Sequence, residues 1–352
     1  MTVPRLEIEL KKIGHNVKEL RNLFGYKGIS VTAVTKAVLG SPEIANILVE
    51  GGINSIGDSR IANISKMRKA GIEAQFILIR IPMVNETENV VRYADISLNS
   101  EISVMKQLSK YAVEQGKNHK VVLMVEMGDL REGIMPSDLE KTVEETICLE
   151  SISLVGIGTN LACYGGIKPT EEKMQRLSSI ANDIQNRYGI KLEIVSGGNS
   201  ANYEWFMTTD DIGLINNLRI GEAILLGCET LHRREIHNLY TDAFTLIGEV
   251  IELKIKPSLP YGEVCQDAFG NVPKFENKGY IKRAIVGLGR QDVDTTGIKP
   301  RMEVEVLGSS SDHLILNIKD SDLKVGDEIG FDVNYSALVR AMTSPYVKKM
   351  YL

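Results

Sequence analysis

The chain has 352 residues, 43% of them hydrophobic, which is enough for one large core and a smaller second one. A net charge of −5 leaves no broad basic field to neutralise phosphates, so nucleic acid and anionic membrane are excluded as expected partners and a small molecule remains. No apolar run approaches the roughly 18 residues of a membrane span. Met1-Thr2-Val3-Pro4-Arg5 lacks a signal-peptide core, and Cys148, Cys163, Cys228 and Cys265 form no Cys-x-x-Cys pair. A cytoplasmic protein with reduced thiols and no bound metal is therefore expected.

In chain order, Arg5 to Leu10 alternates like a strand. Short β-branched runs then alternate with longer helical patterns, the signature of repeated βα units. Eight strands are predicted, near Val31 to Thr35, Ile53 to Gly57, Gln75 to Ile79, Ala94 to Leu98, Lys120 to Glu126, Ser153 to Gly158, Leu192 to Ser196 and Asn216 to Ile220. Ser41-Pro42-Glu43 reads as a helix start. Ser100 to Gln115 carries Val104, Leu108 and Ala112 at a spacing of four, and Thr170 to Tyr188 carries Met174, Leu177, Ala181 and Ile184 on one face. Thr170 suits an N-cap, and Glu171 and Glu172 suit the positive end of that helix dipole. Eight such units predict an α/β fold, a (β/α)8 TIM barrel over residues 11–234. An open doubly wound sheet is the alternative, but no Gly-x-Gly-x-x-Gly follows the first strand.

After about residue 235 the texture changes. Strand patterns at Phe244 to Ile255, Tyr280 to Leu288, Met302 to Leu307 and His313 to Ile318 are joined by Gly, Pro and Asp turns without long helices. A mainly antiparallel β domain over residues 235–352 is predicted, with residues 1–10 joining it.

Barrel active sites lie at the C-terminal ends of the strands, so polar residues there are the candidates. Lys36 ends the first strand, and a lysine amine held among apolar neighbours has a depressed pKa that suits Schiff-base chemistry with an aldehyde cofactor. Arg131 follows strand five, and Thr159-Asn160 follow strand six. Ser196-Gly197-Gly198-Asn199-Ser200 follow strand seven, and Arg219-Ile220-Gly221-Glu222 close strand eight. The loops after strands seven and eight form the usual phosphate site of this fold, where glycine N–H groups and the Ser200 hydroxyl can approach phosphate oxygens. A phosphate opposite a lysine points to pyridoxal phosphate.

These residues carry a resemblance that covers nearly the whole chain. Leu6-Glu7-Ile8-Glu9-Leu10 with His15-Asn16-Val17, Ala33-Val34-Thr35-Lys36, Gly57-Asp58-Ser59-Arg60, Met127-Gly128 to Arg131-x-Gly133, Ser196 to Ala201, Leu218-Arg219-Ile220-Gly221, Gly287 to Asp292 and Met342-Thr343-Ser344-Pro345-Tyr346 resemble the alanine racemase-type group of fold type III pyridoxal phosphate enzymes, in its alanine/ornithine racemase branch. The resemblance implies that Lys36 links covalently to the cofactor aldehyde, Arg219 faces the pyridine nitrogen, Arg131 lies near the phenolic oxygen, and Ser200 with Gly221 holds phosphate. Ser196, Gly198, Asn199 and Glu222 complete the expected cofactor set, together with Asn160, which stands where that family stacks a histidine. It also implies an amino-acid racemase that moves the α-proton with two bases in a head-to-tail homodimer.

The family's catalytic tyrosine is absent, because the matching stretch reads Gly287-Leu288-Gly289-Arg290-Gln291-Asp292. Lys36 is expected on one face of the substrate. Cys163 or Asp292 is expected on the other, with Tyr164, Cys265 and Asp267 as further candidates. Asp292 and Asp294 are expected to bind the distal ammonium of ornithine, and Ser311 and Asp312 the substrate carboxylate. Ornithine racemisation is therefore the expected activity. A broader lysine, alanine or serine racemase and a non-catalytic pyridoxal phosphate homeostasis protein are the alternatives.

Overall fold

A computed structural model describes residues 3–352. The chain divides into two units, Lys11–Thr241 and a second formed by Met1–Leu10 with Asp242–Leu352. Met1 and Thr2, which fall in the segment expected to join the β domain, lie outside the described residues.

Strand β1 (Arg5–Ile8) belongs to the second unit, and helix α1 (Leu10–Gly25) leads into the first. There eight strands follow: β2 (Ser30–Val34), β3 (Ser55–Asp58), β4 (Gln75–Leu78), β5 (Ile96–Asn99), β6 (His119–Met124), β7 (Ile152–Gly158), β8 (Ile194–Ser196) and β9 (Asn217–Ile220). All pair in parallel, and β9 returns to β2 through Ser30↔Asn217 to Ala33↔Ile220, so the sheet closes into a barrel. The (β/α)8 expectation holds, with each predicted strand present. The intervening helices are α2 (Pro42–Glu50), α3 (Ile61–Lys69), α4 (Thr87–Tyr93), α5 (Ile102–Glu114), α6 (Pro136–Ile147), α7 (Glu171–Tyr188), α8 (Asn202–Thr208) and α9 (Glu222–Leu226). Ser41 caps α2 by accepting from Ile44 N at 3.3 Å, and Thr170 caps α7 by accepting from Lys173 N. Ile77, Ile96, Leu98, Val122, Met124 and Val155 pack together inside the barrel. Their β-branched and straight apolar side chains fill the space that parallel strands enclose.

The barrel unit ends after Thr241, beyond the predicted boundary at 234. Ile236 is buried and its N–H donates to Gly227 O at 2.8 Å. Tyr240 N donates to Asn16 Oδ1 at 2.8 Å, and Asn16 Nδ2 returns a bond to Tyr240 O at 2.8 Å. Asn16 is fully buried in α1, so these bonds bind residues 235–241 to the barrel.

The second unit is built on the long strand β10 (Phe244–Pro257), with β11 (Tyr280–Val286), β12 (Ile298–Pro300), β13 (Glu305–Ser309), β14 (Leu314–Asn317) and β15 (Glu328–Val333). These run antiparallel in the order β12-β15-β10-β11-β14-β13. β1 pairs with β10 and with the terminal strand β16 (Lys348–Tyr351), and helix α10 (Tyr335–Thr343) separates β15 from β16. Among the described residues no helix is long and apolar enough to cross a membrane, and no group of three or more His, Cys, Asp or Glu could hold a metal ion.

At the N-terminal end of β6, His119 is 3% exposed and its Nε2 lies 2.9 Å from Ser97 Oγ. Burial lowers its pKa to about 4, with Lys117 adding to the drop. A folded-state pKa below the unfolded value means that stability falls as pH drops from about 6.5 towards 4, by roughly 3 kcal/mol in all. Urea unfolding across this window should show a steeper acid loss for the wild type than for His119→Gln. Equal slopes would remove His119 as the cause.

Candidate active site

The C-terminal ends of β2, β6, β7, β8 and β9 bring together most of the expected groups. Lys36 begins the turn that follows β2 and reaches solvent at the barrel mouth, so it is not enclosed by apolar neighbours as expected. Protein still crowds it: desolvation lowers the amine below the ordinary lysine range, the charge of Cys163 opposes this, and Arg131 and Arg219 add to the drop. A group on the floor of a cleft meets water from one side and low-polarity protein from the others. Among the described residues Lys36 Nζ has no hydrogen-bond or ion-pair partner.

Arg219 on β9 is 6% exposed. Nη1 donates to Ser196 Oγ at 2.6 Å, and Nη2 donates to Thr159 O at 2.8 Å and Asn160 Oδ1 at 3.2 Å. Ser196 donates in turn to Asn217 Oδ1 at 2.8 Å, and Asn217 Nδ2 donates to Thr32 Oγ1 at 2.9 Å. Every hydrogen-bond partner of this guanidinium is neutral, and among the described residues no carboxylate pairs with it. Burial pulls its pKa down to about 10, Glu132 opposing and Arg131 adding.

Arg131 lies in the loop after β6, ion-paired with Glu132, and its Nη1 donates to Cys163 Sγ at 2.7 Å. Desolvation lowers its pKa, but the hydrogen bond and charge of Glu132 raise it on balance. Asp129, 1% exposed, ties this loop to the one after β7: Oδ1 accepts from Cys163 N at 3.1 Å and Oδ2 from Tyr164 N at 2.9 Å. Burial raises the Asp129 pKa, but the N–H groups of Cys163, Tyr164 and Ile167 outweigh it and hold the carboxyl below its usual range.

Asn160 Oδ1 also accepts from Asn199 Nδ2 at 3.1 Å, while its own buried Nδ2 has no partner. Ser200 Oγ accepts from Ala223 N at 3.3 Å, which joins the loop after β8 to α9. Gly198 has φ +145°, and a Cβ there would meet Asn202 Oδ1 at 2.2 Å, so only glycine lets the chain turn this tightly. Gly221 packs against Val34, where a Cβ would come within 3.2 Å of Val34 Cβ. The Glu222 side chain turns to Arg233 and Cys228 Sγ, and burial raises its pKa. Ser196 and the Glu222 carboxylate are thus engaged with protein.

Asp292, expected as a catalytic base, is 4% exposed and closes a tight turn, with Oδ2 accepting from Gly289 N at 2.9 Å. Burial raises its pKa and Asp312 adds to the rise. That bond places Asp292 in the turn of residues 289–292. Asp294 accepts from Thr296 Oγ1 at 2.7 Å and Ser336 Oγ at 2.5 Å. Asp312 is exposed and lies 2.7 Å from His313 Nδ1. Within the second unit the segments 289–294 and 309–313 are bound together, Arg290 N donating to Ser310 O at 3.0 Å and Gln291 N to Ser311 O at 2.9 Å. Sequence reasoning missed Asp129 and Glu132. An acid beside the candidate Arg131 and another two residues before it were the available signal.

The family profile "Alanine racemase, N-terminal domain" matches residues 8–228. The chain belongs to the alanine racemase family. Lysine racemase of Thermotoga maritima is 43% identical, covering 100% of this chain and 99% of the relative. Ornithine racemase of Acetoanaerobium sticklandii is 41% identical, covering 98% and 99%. The fold of a solved family structure, alanine racemase from Streptomyces coelicolor A3(2), matches with a TM-score of 0.77 at 17% identity, covering 99% of this chain and 97% of that one.

Neither Lys36 nor Arg219 has a carboxylate partner among the described residues, so the site should attract anions. Inorganic phosphate should stabilise the protein against heat at constant ionic strength, by about 2 kcal/mol at twenty-fold excess over its Kd. Arg219→Met should abolish most of that shift in a thermal melt. An unchanged shift would place the anion elsewhere.

Proposed function

We propose that this protein is a pyridoxal phosphate-dependent amino-acid racemase acting on a basic amino acid, with ornithine first and lysine next. The observation that carries the reading is the unpartnered Lys36 amine at the end of β2 with the uncompensated guanidinium of Arg219 in the same barrel mouth. Full-length relatives at 43% and 41% identity, one a lysine racemase and one an ornithine racemase, support the substrate class.

The residues fit that cofactor. Lys36 offers a free, easily deprotonated amine for its aldehyde. The orphaned Asn160 Nδ2 is a donor in want of an acceptor. The Gly198 turn, the Ser200 hydroxyl and the Gly221 backbone form the cradle proposed for its phosphate. Arg219 is proposed at the ring nitrogen and Arg131 near the phenolic oxygen, while Asn199 positions Asn160. When bound, the cofactor acidifies the substrate α-carbon by drawing its electrons into the ring.

The chain's own residues hold the ring and carry the protons. An arginine at the ring nitrogen donates a hydrogen bond and gives up no proton, because burial lowers its pKa only to about 10. The Lys36 amine carries the α-proton on one face, and its lowered pKa brings it nearer to neutral pH, where proton transfer is efficient. In the proposed homodimer, Ser311 and Asp312 are proposed to meet the substrate carboxylate through the Ser311 hydroxyl and the backbone, and Asp292 and Asp294 its distal ammonium. A head-to-tail homodimer is proposed from the family membership. The four free cysteines support a reducing, cytoplasmic setting.

Purified protein loaded with pyridoxal phosphate should be yellow. In deuterated buffer it should exchange the α-proton of L- and D-ornithine, and optical rotation should decay without release of ammonia or carbon dioxide. Lys36→Ala should lose the colour and at least about a thousand-fold of the activity. A colourless wild type, or one inert towards both enantiomers of ornithine and lysine, would overturn the reading.

A further inference from the structure

We propose that Cys163 is the second acid/base of the reaction and works on the substrate face opposite Lys36. This rests on the racemase reading above and supplies the group that the absent tyrosine leaves open. Around Lys36 the charges that bear on its amine belong to Cys163, Arg131, Arg219, Asp58 and Glu222, the last ion-paired with Arg233 and only partly exposed. The two guanidinium groups do not exchange protons in this role. Asp58 is fully buried, with Oδ2 accepting from Thr35 Oγ1 at 2.8 Å and Oδ1 from Arg60 N at 2.9 Å and Asn63 Nδ2 at 3.0 Å. Both of its oxygens are engaged by protein donors. Cys163 alone in this set is solvent-exposed and able to take and return a proton.

Its placement is built into the fold. The sulfur accepts a hydrogen bond from Arg131 Nη1, which holds it against the loop after β6. The residues just before the two partners, Leu130 and Ala162, have φ +56° and +49°, left-handed conformations that cost a non-glycine residue energy. The cost is sustained by the Asp129 carboxylate, which accepts the N–H of Cys163 and of Tyr164, and by Glu126 Oε1, which accepts from Leu130 N at 3.1 Å. Gly165 lies so close to this joint that a Cβ would meet Asp129 O at 2.6 Å. A surface cysteine of no consequence needs no such fixing, whereas a proton-transfer group needs its donor atom held to a fraction of an ångström.

Protons balance in either direction. In one direction Cys163 Sγ, as thiolate, takes the α-proton while the Lys36 ammonium delivers one to the other face. In the reverse direction the neutral Lys36 amine takes the α-proton and the Cys163 thiol delivers. Solvent then restores Cys163 and Lys36, and no oxidant or reductant is involved.

The test uses holoenzyme bearing Cys163→Ala or Cys163→Ser. Both variants should retain the cofactor colour, which separates failure of this proposal from failure of the racemase reading. Racemisation should fall by roughly 10²- to 10⁴-fold in each. In deuterated buffer the α-proton of one ornithine enantiomer should still exchange, through Lys36, while exchange of the other is lost. A readout free of turnover accompanies this: iodoacetamide should label Cys163 in the apoprotein, by peptide mapping, and cofactor plus ornithine should protect it. Racemisation within threefold of wild type, equal loss of exchange for both enantiomers, or labelling unaffected by ligands would each overturn the assignment.

Discussion

The barrel mouth is organised around a positive charge that the protein does not neutralise. Burying a guanidinium is costly unless each N–H finds an acceptor, and Arg219 meets that condition with oxygens of Ser196, Thr159 and Asn160 alone. Those oxygens come from the ends of β7 and β8 and Arg219 itself from β9, so the charge fixes these three strands relative to one another. The inner ladder running from Thr32 through Asn217 to Ser196 shows how far this requirement reaches, because it places hydroxyl and amide groups along β2, β9 and β8 while β4 to β7 keep an aliphatic interior. Specific partners replace apolar packing here, and the gain is a cation held ready for an anionic ligand.

The segments after β6 and β7 solve a different problem. Loops at a barrel mouth tend to be mobile, yet proton transfer demands fixed distances. Asp129 joins the two segments with charge-assisted bonds to backbone N–H groups, stronger than neutral ones. Its carboxyl remains ionised to low pH for the same reason. The left-handed Leu130 and Ala162 are tolerated only because such bonds over-determine the local path.

Much of the fold could be read from residue pattern, for identifiable reasons. Barrel strands such as Val121 to Met124 are buried along their whole length and so appear as uninterrupted apolar runs, and the α7 cap appears as Thr-Glu-Glu before a 3.6-residue stripe. β12, β15, β16 and α10 escaped notice. β12 and β16 are three and four residues long, and β15 alternates over Glu328–Val333 but follows the polar stretch Lys319 to Asp327. α10 did carry a signal, since Asn334 accepts from Ala337 N and Ala337, Leu338, Ala341 and Met342 share its buried face. At the site, Lys36, Arg131 and Arg219 were legible because a strand end singles them out. Asp292 was legible as an acid in the 287–292 stretch, but its bond to the Gly289 N–H depends on the turn, which residue type does not encode. Asp129 and Glu132 flank Arg131 in sequence, but which backbone N–H groups the Asp129 carboxylate reaches in the loop after β7 is set only by the fold.

The two arginines of the mouth differ in what they deliver. Arg131 is paired with Glu132, so at a distance of more than a few ångströms the pair is close to neutral, and its value lies in directed N–H donors. Arg219 has no such partner, and with Lys36 it sets the field of the cleft. A ligand with a strong negative group should therefore settle by Arg219 and the glycine turns first, with little orientation demanded at long range. Arg131 then selects geometry at contact and holds the sulfur of Cys163, the residue proposed above as the second acid/base. Reversing the two environments, with a carboxylate beside Arg219 and neutral partners for Arg131, would place the strongest field over the loop segments instead of over the closed barrel. The binding charge would then rest on the elements most able to move, and the distance control that proton transfer requires would be lost.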